Sequence, residues 1–160
     1  MNFLIVLIED SIEHQNAFNS LLQEWSLNKS IPVNLLCYSN AEEFLEHKKD
    51  WMFSNCIFLD IDLPGINGIE TAQLLRTAGI MTDFIFLTSY SEYVFDGYSV
   101  NAVDYLIKPL DISRLDRCMQ KLISKFQNGF YVFRTATEII QIPFHEILYF
   151  QSSIHRTEII

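Results

Sequence analysis

The stretch IFLDIDLPGINGIE, residues 57–70, decides the fold. With Cys56 it opens as an unbroken apolar run ending at Leu59, too short for a helix, and the carboxylate of Asp60 closes it. Pro64-Gly65 then marks a turn, and Asn67 stands as a helix cap before a segment of helical periodicity from Ile69 to Ala78, which Gly79 stops. A strand that is apolar at every position must be covered on both faces. That points to a parallel sheet with helices on either side rather than to an antiparallel sheet with one wet face.

The same unit recurs in both directions along the chain. Apolar runs at Phe3 to Ile8, Val33 to Cys37, Phe84 to Leu87 and Val103 to Ile107 supply four more strands. Helical periodicity fills the intervals at Ile12 to Leu27, Ala41 to Lys48, Glu92 to Ser99 and Ser113 to Phe126. Asn40, with Glu43 three positions on, and Asp111 are the expected caps of two of these helices. Strand and helix in strict alternation predict an α/β domain with a doubly wound five-stranded parallel sheet over residues 1–126. After a junction at 127–129 the pattern changes to strands without helices: Phe130 to Arg134, Glu138 to Ile142 and Ile147 to Phe150. Residues 130–160 therefore read as a short β-rich fragment, too small to bury a core of its own. Its last apolar residues, Ile159 and Ile160, are expected to end in unpaired strand edges.

Composition narrows the function. A net charge of −9 repels a phosphate backbone. Arg114, Arg117, Lys121 and Lys125 have the spacing of one solvated helix face, not of a nucleic-acid patch. Cys37, Cys56 and Cys118 are an odd number without metal-type spacing and read as buried free thiols. The opening apolar run is cut by Glu9-Asp10, so it is neither a signal peptide nor a membrane span, and the expected location is the cytoplasm.

In an open parallel sheet the loops at the carboxyl ends of the strands converge on one edge, where ligands bind. The first strand ends in Glu9-Asp10, the third in Asp60, the fourth in Thr88 and the fifth in Lys108. Three adjacent carboxylates repel unless a cation neutralises them, and a hard divalent ion such as Mg²⁺ suits oxygen ligands. With that ion screening the incoming oxygens, Asp60 is placed to attack phosphorus, with Lys108 and Thr88 each binding a phosphoryl oxygen.

These motifs, IEDS at 8–11, IFLDIDLPGINGIE around Asp60, IFLTSY around Thr88 and NAVDYLIKPLD around Lys108, closely resemble the receiver domains of two-component response regulators. The resemblance implies a flavodoxin-like receiver fold and Asp60 as the phosphoacceptor, loaded by a sensor histidine kinase. It implies Glu9, Asp10 and Asp60 around Mg²⁺ with the backbone carbonyl of Asp62, Thr88 and Tyr105 as a switch pair, and a cis peptide bond at Lys108-Pro109. It also implies homodimerisation on phosphorylation, through a face to which Tyr93, Phe95 and Tyr98 contribute. Glu9 departs from the aspartate common at its position, and its extra methylene leaves room for a water between carboxylate and metal.

The segment 131–160, with EILYFQSS at 146–153, resembles the opening strands of a LytTR-type DNA-binding domain, and the fragment is read as an incomplete one. In that family His155 or Arg156 would fall near a DNA-reading loop. Specific DNA binding is expected only of a complete LytTR domain and not of this chain. Two other readings compete. A phosphatase of the haloacid dehalogenase class shares the Asp60-Ile61-Asp62 pattern, but its nucleophile follows the first strand and Pro64 does not suit its signature. A pure interaction module has no use for Asp60, Thr88 and Lys108 together.

Overall fold

The computed structural model of the chain describes residues 3–89, 102–134, 139–143, 150–153 and 156–159. Five parallel strands, β1 (Phe3–Ile8), β2 (Val33–Tyr38), β3 (Cys56–Asp60), β4 (Asp83–Thr88) and β5 (Asp104–Ile107), form one sheet in the order β2-β1-β3-β4-β5. The crossovers reverse direction between β1 and β3, which opens a crevice at their carboxyl ends.

The central strands explain the unbroken apolar runs. Every residue of β3 and β4 is buried, as are five of six in β1. Because side chains alternate, one face of the sheet presents Val6, Ile8, Ile57, Leu59, Phe84 and Phe86, packed with Phe44, Ala72 and Leu75 from helices α2 (Ala41–Glu46) and α4 (Gly68–Thr77). The other face carries Phe58, whose ring meets Phe18 of helix α1 (Ile12–Lys29) at 4.8 Å between centroids. Helix α1 turns Phe18, Leu22 and Trp25 inward at helical spacing, and truncating Trp25 to alanine carries the ~3–5 kcal/mol cost of a large core cavity. The indole N–H of Trp25 donates to Asp116 at 2.9 Å on helix α5 (Ile112–Asn128), and Lys29 reaches the same carboxylate oxygen at 2.8 Å.

The helix ends follow the caps. Asn40 accepts from the Glu43 N–H at 2.8 Å, and Asp111 accepts from the Arg114 N–H at 2.9 Å. Asn67 and Glu70 close a reciprocal capping box at the start of α4. At its end Gly79 takes φ +80°, with its N–H on the Arg76 carbonyl and that of Ile80 on Leu75, a glycine-terminated helix stop.

Four local readings are corrected. The helix expected from Ala41 to Lys48 stops at Glu46, where His47 (φ −92°, ψ 68°) breaks it, and a further six-residue helix α3 (Lys48–Phe53), not among the expected elements, follows. Cys37 is exposed, because β2 is an edge strand and the residue points away from the core, while Cys56 and Cys118 are buried. Helix α5 runs to Asn128, so Gln127 and Asn128 are helical. Ile159 is paired within the chain: strands β6 (Phe130–Arg134) and β7 (Ile139–Pro143) form one antiparallel pair, and β8 (Phe150–Ser153) and β9 (Arg156–Ile159) another, with Phe150 opposite Ile159. The helix expected from Glu92 to Ser99, and with it Tyr93, Phe95 and Tyr98, lies outside the described residues, as do Ile160 and His155. By internal contacts the chain divides into two units, Met1–Cys118 and Met119–Ile160.

Candidate functional site

Four of the five strands, β1, β3, β4 and β5, deliver groups to the same edge. The β1–β3 register sets Ile8 beside Leu59, so the residues that follow, Glu9 just past β1 and Asp60 at the last position of β3, stand together at the crevice. Thr88 ends β4 opposite Ile107 of β5, and Lys108 comes next, its backbone N–H on the Thr88 carbonyl at 2.8 Å. Glu9 and Asp60 are buried, Asp10 is exposed, and Thr88 is fully enclosed.

The ammonium of Lys108 bridges the two buried carboxylates, at 2.6 Å from Glu9 Oε2 and 2.8 Å from Asp60 Oδ2. Burial pulls the Lys108 pKa down. Its hydrogen bonds to Asp60 and Glu9, and their negative charge, outweigh that and leave it raised. Asp62 is pushed up by burial and by the Asp60 charge, with Lys108 opposing. The backbone N–H of Asp62 donates to Asp60 Oδ1 at 3.2 Å, which fixes the rotamer of the carboxylate.

Ligand oxygens of Glu9, Asp10 and Asp60 lie within 4.8 Å of one another. An oxygen-only set of this span suits a hard divalent cation. That an ammonium already lies between two of the three shows that the site's electrostatics demand positive charge. The residues therefore fit Mg²⁺.

Tyr105 sits beside Phe86 on the neighbouring strand, rings stacked at 5.3 Å, and two residues along that same face come Thr88 and Ile107. Thr88 and Tyr105 thus share one side of the sheet, with Tyr105 further from the strand ends. The Lys108-Pro109 peptide bond is cis. Arg156 opens β9, in the second unit.

Three contributors escape the sequence. His14 Nδ1 is 3.1 Å from Glu9 Oε1 and 3.3 Å from Lys108 Nζ, and the Gln15 amide donates to the Glu9 carbonyl at 2.6 Å. The available signal is Ser11, which caps α1 by accepting from the His14 N–H at 3.4 Å: a helix that starts at Ile12, with three residues between it and the end of β1, lays its first turn close to that strand end. Gly68 lies directly against the backbone of Asp60 and Ile61, where a Cβ would run into the Asp60 carbonyl.

Residues 5–120 match the family model for the response regulator receiver domain. The chain belongs to that family. Receiver domains are signalling domains rather than conventional enzymes, and the chain is one such module of two-component signalling. This receiver is 36% identical over 105 residues to an uncharacterised response regulatory protein of Vibrio cholerae, covering 66% of this chain and 44% of that one. It is 27% identical to the Escherichia coli transcriptional regulatory protein YpdB (77% of this chain, 48% of YpdB) and 26% identical to the Bacillus subtilis sensory transduction protein LytT (73% and 46%). The chain spans about half the length of these curated relatives. Among solved structures it resembles the Thermotoga maritima response regulator TrrA in complex with Mg²⁺ and BeF. That match has a TM-score of 0.64 and 28% identity, over 75% of this chain and 98% of TrrA. Among the described residues no helix is long and apolar enough to cross a membrane.

Proposed function

We propose that the chain takes a phosphoryl group on Asp60 from a sensor histidine kinase. The observation that carries this reading is the convergence of Asp60, Glu9 and Lys108 within hydrogen-bonding distance at the sheet's switch point. Glu9, Asp10, Asp60 and the backbone carbonyl of Asp62 would hold Mg²⁺, which when bound neutralises charge on the transferring phosphoryl oxygens. The protein's own groups do the rest. The Asp62 N–H orients the Asp60 carboxylate, so its other oxygen faces the incoming phosphorus. Lys108 exchanges one of its carboxylate partners for a phosphoryl oxygen, and the Thr88 hydroxyl hydrogen-bonds another. The Asp60 oxygen bonds to phosphorus while the bond from phosphorus to the kinase's imidazole nitrogen breaks, and the electron pair leaves with that nitrogen.

The Thr88 movement is the switch in this reading. Drawn toward the phosphoryl group, its side chain vacates space along the face it shares with Tyr105, and the Tyr105 ring leaves Phe86 to fill it. The altered surface is the homodimer face. The resemblance to LytT and YpdB, together with the strands from Phe130 onward, supports a receiver that closes with α5, ending at Asn128, followed by part of a LytTR-type domain over 130–160. In that arrangement transcription is the output, and DNA is read through a complete LytTR domain, with His155 or Arg156 near a contact loop.

Metal dependence tests the site. Labelling from acetyl phosphate is expected to fall by at least about 100-fold when EDTA replaces Mg²⁺, since several kcal/mol of charge stabilisation is lost. The label should be base-labile, as an acyl phosphate is. Equal labelling in EDTA contradicts the acidic cluster as a metal site.

A further inference from the structure

The turn that carries Asp62 runs from the end of β3 to the start of α4, and its two ends are held by backbone hydrogen bonds. The Ile61 N–H donates to the Leu87 carbonyl at 3.1 Å, and the Gly68 N–H closes back on the Ile61 carbonyl, also at 3.1 Å. The middle of the turn is tied to a different element. Glu42, in the first turn of α2, accepts from the Ile66 N–H at 3.1 Å across 24 positions of sequence. Gly65, next to Ile66, takes φ +76°, and a Cβ there would run into the same carboxylate. The glycine thus serves the close approach of Glu42 as well as the backbone of the turn. Strand order makes the reach a long one: α2 follows the edge strand β2, and β1 stands between β2 and β3. Ala41 and Phe44 of α2 share a buried cluster with Ile61 and Leu63, so apolar packing brings helix and turn together. That packing has no need of a charge, and Glu42 itself is exposed.

We propose that Glu42 is a positioning residue for the metal site: by holding the Ile66 N–H it sets the turn, and with it the backbone carbonyl of Asp62, for the cation. The proposal rests on the reading of Glu9, Asp10, Asp60 and the Asp62 carbonyl as the ligands of Mg²⁺, and adds a residue from a helix that supplies no ligand. Asp62 and Ile66 lie in one short span closed by the bond between Ile61 and Gly68. Each residue of that span has only two soft backbone dihedrals, and Pro64 fixes one of its own, so a shift at Ile66 is passed on to Asp62. Mg²⁺ demands near-ideal octahedral geometry, which turns a small displacement of one ligand into lost affinity.

The test is a calorimetric titration of Mg²⁺ into the metal-free chain and into two variants, Glu42→Ala and Glu42→Gln. Glu42→Ala removes the acceptor and is expected to raise the Mg²⁺ dissociation constant about 10-fold, the lower end of what losing a partner behind the ligands costs. Glutamine keeps an oxygen for the Ile66 N–H and removes only the charge. Glu42→Gln should therefore stay within about threefold of the wild type, since a neutral acceptor makes a weaker bond than a charged one. Equal affinity of the wild type and Glu42→Ala overturns the positioning role and leaves the acidic cluster standing as a metal site. Glu42→Gln as weak as Glu42→Ala overturns it as well, because the metal then senses the charge and not the hydrogen bond. No Mg²⁺ binding by the wild type overturns the metal-site reading on which the proposal rests.

Discussion

Lys108→Met is expected to weaken the folded chain in EDTA by about 3 kcal/mol, because breaking a buried ion pair strands the remaining charge. Two buried carboxylates, Glu9 and Asp60, then face each other without the ammonium now 2.6 and 2.8 Å from them. Urea unfolding measures the loss. Added Mg²⁺ should restore more stability to the variant than to the wild type, since the metal no longer competes with a tethered cation for the same oxygens. Phosphoryl uptake should nonetheless fall by about 100-fold, as the donor to a phosphoryl oxygen is gone. The sign of the pH dependence follows from the raised Lys108 pKa. The lysine's contribution is fully present below the ordinary lysine value and is lost as pH rises through the folded one, so wild type and variant converge in alkali. A variant as stable as the wild type in EDTA at neutral pH contradicts the bridge.

Gly68→Ala is the second large effect. The new Cβ meets the backbone of Asp60 and Ile61, which cannot rotate aside as a side chain does, so α4 must move away from the end of β3. That shift also pulls on the Gly68 N–H bond to the Ile61 carbonyl and on the Asn67–Glu70 capping box. Overpacking plus a weakened cap gives about 2–4 kcal/mol of destabilisation. Gly79→Ala is the control. It carries positive φ, but a Cβ there meets nothing within 4 Å, so only backbone strain of about 1 kcal/mol is expected. Equal midpoints for the two variants would show that the contact with Asp60 does not constrain the loop.

The sheet was legible because burial on both faces writes itself into sequence as unbroken apolar runs, and the ends of β1, β3, β4 and β5 then place Glu9, Asp60, Thr88 and Lys108 with no further information. What the pattern hides are interactions set by three-dimensional approach. That Lys108 closes on Glu9, 99 positions away, depends on the β4–β5 register. The need for glycine at position 68 comes from a carbonyl eight residues earlier, and no periodicity carries it. Short elements are hidden too: Lys48-Lys49-Asp50 offers no apolar stripe, so α3 goes unread beyond its first residue. Exposure of Cys37 follows from β2 lying at the sheet edge, which strand order decides and the run Val33 to Cys37 alone does not.

Intact mass after incubation with acetyl phosphate and Mg²⁺ tests the central claim most directly. The wild-type chain should gain one phosphoryl group, and Asp60→Asn, which keeps the shape of the side chain and removes the nucleophilic carboxylate, should gain none. Equal labelling of the Asp60→Asn chain would contradict Asp60 as the phosphoacceptor.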